Sequence, residues 1–243
     1  MLKLRVSIVI PHYNRSRALK RCLDSIFKQT FHDFEIIIVD DGSNDKEKQY
    51  LQQLINTRGN EYGKEIKLVQ ALHKGASAAR NRGAKEASGK YLLFCDADII
   101  MRSNFLDEMI KALEANPEAA FAYTSFKYGL KTFKLHQFDA EALKVVNYIH
   151  TTSLIRKEWF AGFDESLNRF QDWDLWLQIS MRGGRGVWVP KILFKIEPHR
   201  RGISSWLPSF FYKVPWEKLG IKIKVLEAYL AAKKIIKDKH NLK

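Results

Sequence analysis

Short apolar runs alternate along this chain with segments whose apolar residues recur at helical spacing. Residues 6–10, Val-Ser-Ile-Val-Ile, form a β-branched run that predicts a buried strand ended by Pro11. Leu19, Cys22, Leu23, Ile26 and Phe27 then fall on one helical face, with Ser16 placed to cap that helix. Residues 34–39 predict a second buried strand, broken by Asp40-Asp41-Gly42-Ser43, and a polar helix is expected over residues 46–56. A third strand is expected at residues 66–69. Past a break at Gly75, residues 77–87 form a small, alanine-rich helix suited to close packing on a sheet. Tyr91-Leu92-Leu93-Phe94-Cys95 reads as a fourth strand that runs into Asp96-Ala97-Asp98.

Beyond Asp98, Phe105, Leu106, Met109, Ile110 and Leu113 make the apolar stripe of another helix, with Ser103 as its expected cap. Residues 119–138 are strand-like and aromatic, residues 151–155 predict a further strand, and residues 172–181 return to helical spacing. Strand, break and helix in repetition imply a parallel sheet with right-handed crossovers. Ligands of such sheets sit beyond the carboxyl ends of the strands. Three of those ends carry Pro11-His12-Tyr13-Asn14, Asp40-Asp41 and Asp96-Ala97-Asp98, and their convergence is the central expectation. Two carboxylates one residue apart suit Mg²⁺ or Mn²⁺ completed by substrate phosphate oxygens; they equally suit an acidic loop that ends a strand.

Composition narrows the class. A chain of 243 residues with 46% hydrophobic and 12% aromatic residues is long enough for one large α/β domain with a real core. No apolar run reaches the ~20 residues that span a bilayer, and the start of the chain lacks the layout of a signal peptide. The expectation is a cytoplasmic protein, soluble or peripheral on the inner face of the cell membrane. Cys22 and Cys95 both sit in apolar patterns and predict free buried thiols. The net charge of +14 is unevenly placed, with 13 lysines and arginines against 4 acids between Lys191 and Lys243. Such a surface attracts phosphates, anionic lipid or nucleic acid, and charge alone does not choose among them.

Five segments together carry a resemblance. VSIVIPHYNR (residues 6–15), IIIVDDGS (36–43), GASAARNRG (75–83), YLLFCDAD (91–98) and GFDESL followed by QDWDLWL (162–177) resemble the ordered motifs of inverting family 2 glycosyltransferases. The likeness spans residues 6–205. It implies an α/β fold of the GT-A type: a Rossmann-like, mostly parallel sheet flanked by helices, with the catalytic domain over residues 1–205. A basic, aromatic and helical C-terminal extension, residues 206–243, follows it.

By that resemblance, Pro11, Tyr13 and Asn14 line a nucleotide pocket, and Asp40 or Asp41 binds the uracil or ribose of a nucleotide-sugar donor. Arg80 neutralises the diphosphate or holds the pocket acids. Asp98 is the expected ligand of Mn²⁺ or Mg²⁺, with Asp96 on ribose or a metal-bound water. Asp172 is the expected general base; Gln171 stands where the family usually has Glu, and Asp174 is a nearby rival. His199 lies where many members have a histidine at the metal and diphosphate. Here its surroundings depart from the pattern, so a surface histidine is the alternative, with Arg200 and Arg201 available to phosphate. Trp176 is expected in the core and Trp173 as a possible wall of the acceptor site.

The implied reaction transfers a sugar from a UDP-sugar by default to a glycan or lipid-linked acceptor. Val225, Leu226, Tyr229, Leu230, Ile235 and Ile236 set against lysines fit either a helix lying on anionic membrane or a terminal helix packed on the domain. Two other classes compete: a basic nucleic-acid-binding protein, for which no recognition motif appears, and a non-catalytic sugar-nucleotide binder. A nucleotidyltransferase on the same fold would show a glycine-rich phosphate loop near the first strand, and Pro11-His12-Tyr13-Asn14 is not one.

Overall fold

The computed structural model describes residues 5–63, 65–197 and 224–242. Among them lie nine strands of one sheet and seven α-helices. The first half alternates: β1 (Val6–His12), α1 (Ser16–Phe27), β2 (Phe34–Asp41), α2 (Asp45–Tyr62), β3 (Ile66–Ala71), α3 (Ala76–Glu86) and β4 (Tyr91–Phe94). Then come β5 (Ile99–Met101), α4 (Phe105–Ala115), β6 (Ala119–Tyr128), β7 (Lys131–Phe133), α5 (Ala140–Val145), β8 (Leu154–Arg156), α6 (Gln171–Met181), β9 (Arg185–Ile196) and α7 (Lys224–Lys239). The strand order is β3-β2-β1-β4-β8-β6-β9-β5, with β7 paired to β6.

β1 pairs in parallel with β2 and β4, and β2 with β3. β8 joins β4 to β6 by antiparallel pairing, and β6 and β9 are again parallel. This is the Rossmann-like sheet flanked by helices that the resemblance implies. Its strands read as unbroken apolar runs because helices cover both faces. Ile8, Val9, Ile10, Ile37, Ile38, Leu92 and Leu93 have no exposed surface, each such side chain contributing roughly 1.5–3 kcal/mol of burial. The predicted stripes of α1 and α4 are buried throughout.

Strand ends run further than expected. β1 continues through Pro11 to His12, and β2 carries both Asp40 and Asp41 inside its ladder. Pro11 is tolerated because β1 pairs with β4 only as far as Val9↔Phe94, so its missing N–H lies past the last ladder bond on that side. The predicted caps also differ. The residue preceding α1 is Arg15; Ser16 is buried and its hydroxyl is taken up by His12 Nε2 at 3.1 Å. Asn104 precedes α4, while the Ser103 carbonyl accepts from the Thr30 amide at 2.8 Å.

Leaving β1, the chain builds β2 and β3 on one side, whereas β4 lies on the other. That reversal creates a crevice beyond the carboxyl ends of β1 and β4, the usual ligand position in open α/β sheets. α3 approaches this sheet closely: a Cβ on Gly83 would lie 2.3 Å from Val9 Cγ1 and 3.0 Å from Val39 Cγ2. Of the C-terminal extension, the described part is α7, which buries Leu226 and Ile236 and leaves Leu230 and Ile235 exposed. The expected domain boundary near residue 205 and the aromatic segment 206–216 lie outside the described residues. No described helix is long and apolar enough to cross a membrane.

Candidate active site

Beneath the crevice lies a buried polar knot built from β1 and β2. His12 is 1% exposed; its Nδ1 is 3.1 Å from Asp40 Oδ1, and its Nε2 accepts from the Arg15 amide at 3.3 Å. The Ser43 hydroxyl donates to the same Asp40 oxygen. Burial pushes the His12 pKa below its ordinary value, against the opposing pull of Asp40 and Glu47. Asp40 Oδ2 is buried without a hydrogen-bond partner. An orphaned carboxylate oxygen is costly to bury, and a donor brought by a ligand would satisfy it.

Asp41 is engaged differently. Its Oδ1 accepts from the Lys74 amide at 2.8 Å and its Oδ2 from the Gly75 amide at 2.9 Å, with His73 Nδ1 also 2.9 Å from Oδ2. It thereby fastens the loop that enters α3. Gly75 adopts φ +93°, a conformation that favours glycine, immediately before that helix. Tyr13, 45% exposed, stacks on His73 with ring centroids 4.2 Å apart and offers an open aromatic face at the end of β1. Asn14 braces β1 to β2: its Oδ1 accepts from the Asn44 amide at 3.0 Å, and its own amide donates to Ser43 Oγ at 2.9 Å.

At the end of β4 the two acids have opposite surroundings. Arg80, buried on α3, donates to Asp96 Oδ1 at 2.6 Å and lies 5.3 Å over the Phe163 ring. Burial pushes Asp96 up, yet Arg80, with His150 and Arg15 further off, holds its pKa below the usual value. Burial and the neighbouring Asp96 charge push Asp98 up to about 6, with Arg15 Nη1 3.7 Å from its Oδ2 as partial compensation. Two adjacent carboxylates driven apart in this way are typical of functional sites.

Asp98 fits a divalent cation on donor chemistry: a hard oxygen, partly open to solvent, beside a second carboxylate whose repulsion a cation relieves. Among the described residues no three or more His, Cys, Asp or Glu side chains gather into a metal cage. Mg²⁺ and Mn²⁺ sites completed by substrate phosphates need only one or two protein carboxylates. His199 lies outside the described residues.

Asp172 occupies the first turn of α6, where the helix dipole favours an anion. Its Oδ1 accepts from the Trp173 amide at 2.9 Å. Phe170, at φ +61°, turns the chain into that helix, and Gln171 Nε2 donates back to the Leu167 carbonyl at 2.8 Å. The rival acid Asp174 is fully buried and paired with Lys239 and His240 of the C-terminal segment, so it faces no substrate. Trp173 is 1% exposed and donates to the Leu143 carbonyl at 2.6 Å, which places it in the core beside Trp176 and away from any acceptor-site wall. The reason is helical spacing: Trp173 and Trp176 are three residues apart on one face of α6, where Trp173 bonds to α5 and Trp176 stacks on Phe121 of β6 at 4.6 Å.

His150 was not legible as a site residue. Burial pushes its pKa down, against the opposing pull of Asp96 and Asp172. Its Nδ1 accepts from the Thr152 amide at 3.0 Å, and Phe126 and Phe194 flank the ring at 5.1 and 5.2 Å. In sequence it shows only as the start of a polar run, His150-Thr151-Thr152-Ser153, that overlaps the strand expected at residues 151–155; the strand itself begins at Leu154. Asn81, in the GASAARNRG segment, donates to the Phe163 carbonyl at 2.8 Å and accepts from the Phe163 amide at 2.7 Å, tying the 162–165 motif to α3.

Residues 7–179 match the sequence family described as "Glycosyl transferase family 2". An amylovoran biosynthesis glycosyltransferase, AmsB, of Erwinia amylovora is 31% identical over 212 residues, 79% of this chain and 69% of the relative. The chain spans 28% and 61% of the lengths of two further curated relatives, uncharacterized glycosyltransferases of Rickettsia bellii and Haemophilus influenzae. Among solved structures, S. aureus TarS in complex with UDP-GlcNAc superposes with a TM-score of 0.69 at 19% identity, over 86% of this chain and 64% of that one. The mannosyltransferase PcManGT of Pyrobaculum calidifontis, in complex with GDP-Man and Mn²⁺, gives a TM-score of 0.64 at 19% identity, over 84% and 59%. These two likenesses bear on the fold, which is of the GT-A type. On the family match over most of its length, this chain belongs to glycosyl transferase family 2.

Proposed function

We propose that the chain is a metal-dependent, inverting glycosyltransferase. It moves a sugar from a nucleotide-sugar donor, a UDP-sugar by default, to a hydroxyl of a glycan or lipid-linked acceptor in cell-surface polysaccharide or glycolipid synthesis. The observation that carries the reading is the split pair at the end of β4: Asp96 held ionised by Arg80, and Asp98 raised to about 6 beside it. Family membership and the UDP-GlcNAc and GDP-Man complexes of the two similar structures support a nucleotide-sugar donor. The Mn²⁺ of the second supports the metal.

In this reading the nucleotide lies across the carboxyl ends of β1 and β2, its base against Tyr13 and near Pro11 and Asn14. The unpaired oxygen of Asp40 takes a donor from base or ribose, while Asp41 keeps the loop before α3 in place. Asp96 faces ribose or a water, and Arg80 keeps it charged. A divalent ion held by Asp98 would supply Lewis-acid stabilisation of the charge on the departing nucleoside diphosphate. Asp172 takes the proton from the acceptor hydroxyl as its oxygen attacks the anomeric carbon. The bond from that carbon to the diphosphate breaks on the opposite face, which inverts the configuration.

A peripheral seat on the anionic inner face of the membrane is a further part of the proposal, resting on the lysines and apolar residues of the C-terminal extension; α7 itself buries Leu226 and Ile236 and leaves Leu230 and Ile235 exposed. Loss of the protein from anionic liposomes in a flotation assay would remove that part alone.

The test is a thermal-shift panel of UDP, GDP, dTDP, CMP and their sugars, with and without Mn²⁺. One nucleotide should raise Tm in a manner that needs both metal and Asp98. Asp172→Asn should keep that shift while transfer falls roughly 10²–10⁴-fold. No shift with any nucleotide would overturn the donor site. A shift without transfer to any acceptor would favour the non-catalytic binder, and steeply salt-dependent binding to DNA or RNA would favour the nucleic-acid reading.

A further inference from the structure

Asp174 has a carboxylate with no exposed surface in the first turn of α6, two residues after the proposed base. A buried charge is tolerated only when it is paired and its oxygens are hydrogen-bonded. Gln178, one turn along the same helix, donates to Oδ2 at 2.7 Å. Two groups at the C-terminal end of α7 meet Oδ1: Lys239 Nζ, from the helix's last residue, at 2.9 Å, and His240 Nε2, from the residue after it, at 2.6 Å. The same ammonium lies 2.6 Å from Asp164 Oδ2, in the 162–165 motif that Asn81 ties to α3. Burial works against the Lys239 charge, but its bonds to Asp164 and Asp174 raise its pKa overall. Asp164, bonded to Lys239 and Ser166, is lowered to about 2. A second contact reinforces the first: Tyr229 of α7 meets Phe170 edge-on at 5.2 Å, directly before Gln171 and Asp172.

We infer that Lys239 and His240 are positioning residues for the reaction proposed above, clamping through Asp174 and Asp164 the turn of α6 that presents Asp172. This rests on the reading of Asp172 as the base. Neither residue touches substrate. The clamp supplies the counter-charge that lets an acidic first turn stay folded with one carboxylate buried and the next one free to work. It also gives the C-terminal segment a task separate from any contact with membrane: it completes the acceptor half from outside the family-matched residues 7–179.

The test uses the full chain carrying Lys239→Met and His240→Leu together, and the same chain with Asp174→Asn added. The first readout needs no turnover. Amide hydrogen exchange over residues 174–178 should speed up by about tenfold or more in the double variant, and Asp174→Asn, by removing the stranded charge, should restore most of the protection. The second readout is kinetic. kcat for sugar transfer should fall on the order of ten- to a hundredfold while the calorimetric Kd for the nucleoside diphosphate stays within about twofold, and Asp174→Asn should return most of the kcat. Unchanged exchange in the double variant would overturn the clamp. So would a loss of kcat that Asp174→Asn leaves untouched, or a parallel loss of kcat and donor binding. A wild-type chain that transfers no sugar would overturn the reaction, and with it the role in that reaction. The exchange result would still decide whether the two residues hold α6.

Discussion

Arg80 Nη2 stands 2.6 Å from Asp96 Oδ1, joining the third helix to the end of the fourth strand by a charge-assisted bond with the arginine almost wholly buried. The family resemblance left Arg80 between phosphate partner and support for the acids. The geometry shows it bonded to the acid.

Replacing it exposes that dependence. In Arg80→Met, Asp96 keeps its burial and loses its main cation, so its pKa rises and the fold weakens by about 1–3 kcal/mol, less than for a fully buried pair because Asp96 is a third exposed. Arg80→Lys should recover part of this, since it keeps the charge without the planar fork. Denaturant unfolding at pH 7 reads both; an unchanged midpoint in Arg80→Met would contradict the assignment.

Asp98 predicts a site that is unstable by itself. Its folded pKa, about 6, lies above the unfolded value near 3.9, so the folded state binds this proton more tightly. Stability contributed by the protonated acid is present below about pH 4 and is lost as pH rises to about 6. Asp98→Asn in EDTA should therefore be more stable than wild type at pH 7 by at most about 3 kcal/mol. That advantage should vanish near pH 4. Equal stability at both pH values would rule out the crowding described here.

His12 has the opposite sign. Its folded pKa is depressed by burial, so the stability it contributes is complete above about pH 6.5 and is lost as pH falls through the folded value. His12→Asn removes the titration. A plot of unfolding free energy between pH 7 and 5 should slope less in the variant than in wild type, and parallel slopes would show that His12 takes no part.

Gly83→Ala places a methyl 2.3 Å from Val9 Cγ1, between α3 and the first two strands. Alanine favours the helix by about 1 kcal/mol, but overpacking a tight interface typically costs about 1–3 kcal/mol. A net loss in Tm is expected, and with it weaker nucleotide binding because α3 carries Arg80. A gain in Tm would mean that the helix can back away without cost.

The parallel half of the sheet was legible because its information is local. Val6-Ser7-Ile8-Val9-Ile10, apolar but for Ser7, and Tyr91-Leu92-Leu93-Phe94 are buried at every position without alternation, which a sheet covered on both faces accommodates. Asp40, Asp41, Asp96 and Asp98 end such runs, so their meeting at one edge followed from parallel topology before any distance was known. Trp173 was misjudged because helical spacing says that a face is buried without saying which residue lies at its rim.

By itself, then, the order of residues along the chain determined the crossover pattern, the strand ends that carry acids and the helix that presents Asp172, because hydrophobic period and turn chemistry act over a few neighbours. Only the tertiary structure decided how the charged groups are partnered. That Arg80 serves Asp96, that His12 closes on Asp40, and that Asp174 is claimed by Lys239 and His240 some 66 residues along the chain all depend on contacts between distant segments. Burial makes a lone charge expensive, so each buried acid takes whichever cation the fold brings within reach, and only the folded chain says which one that is.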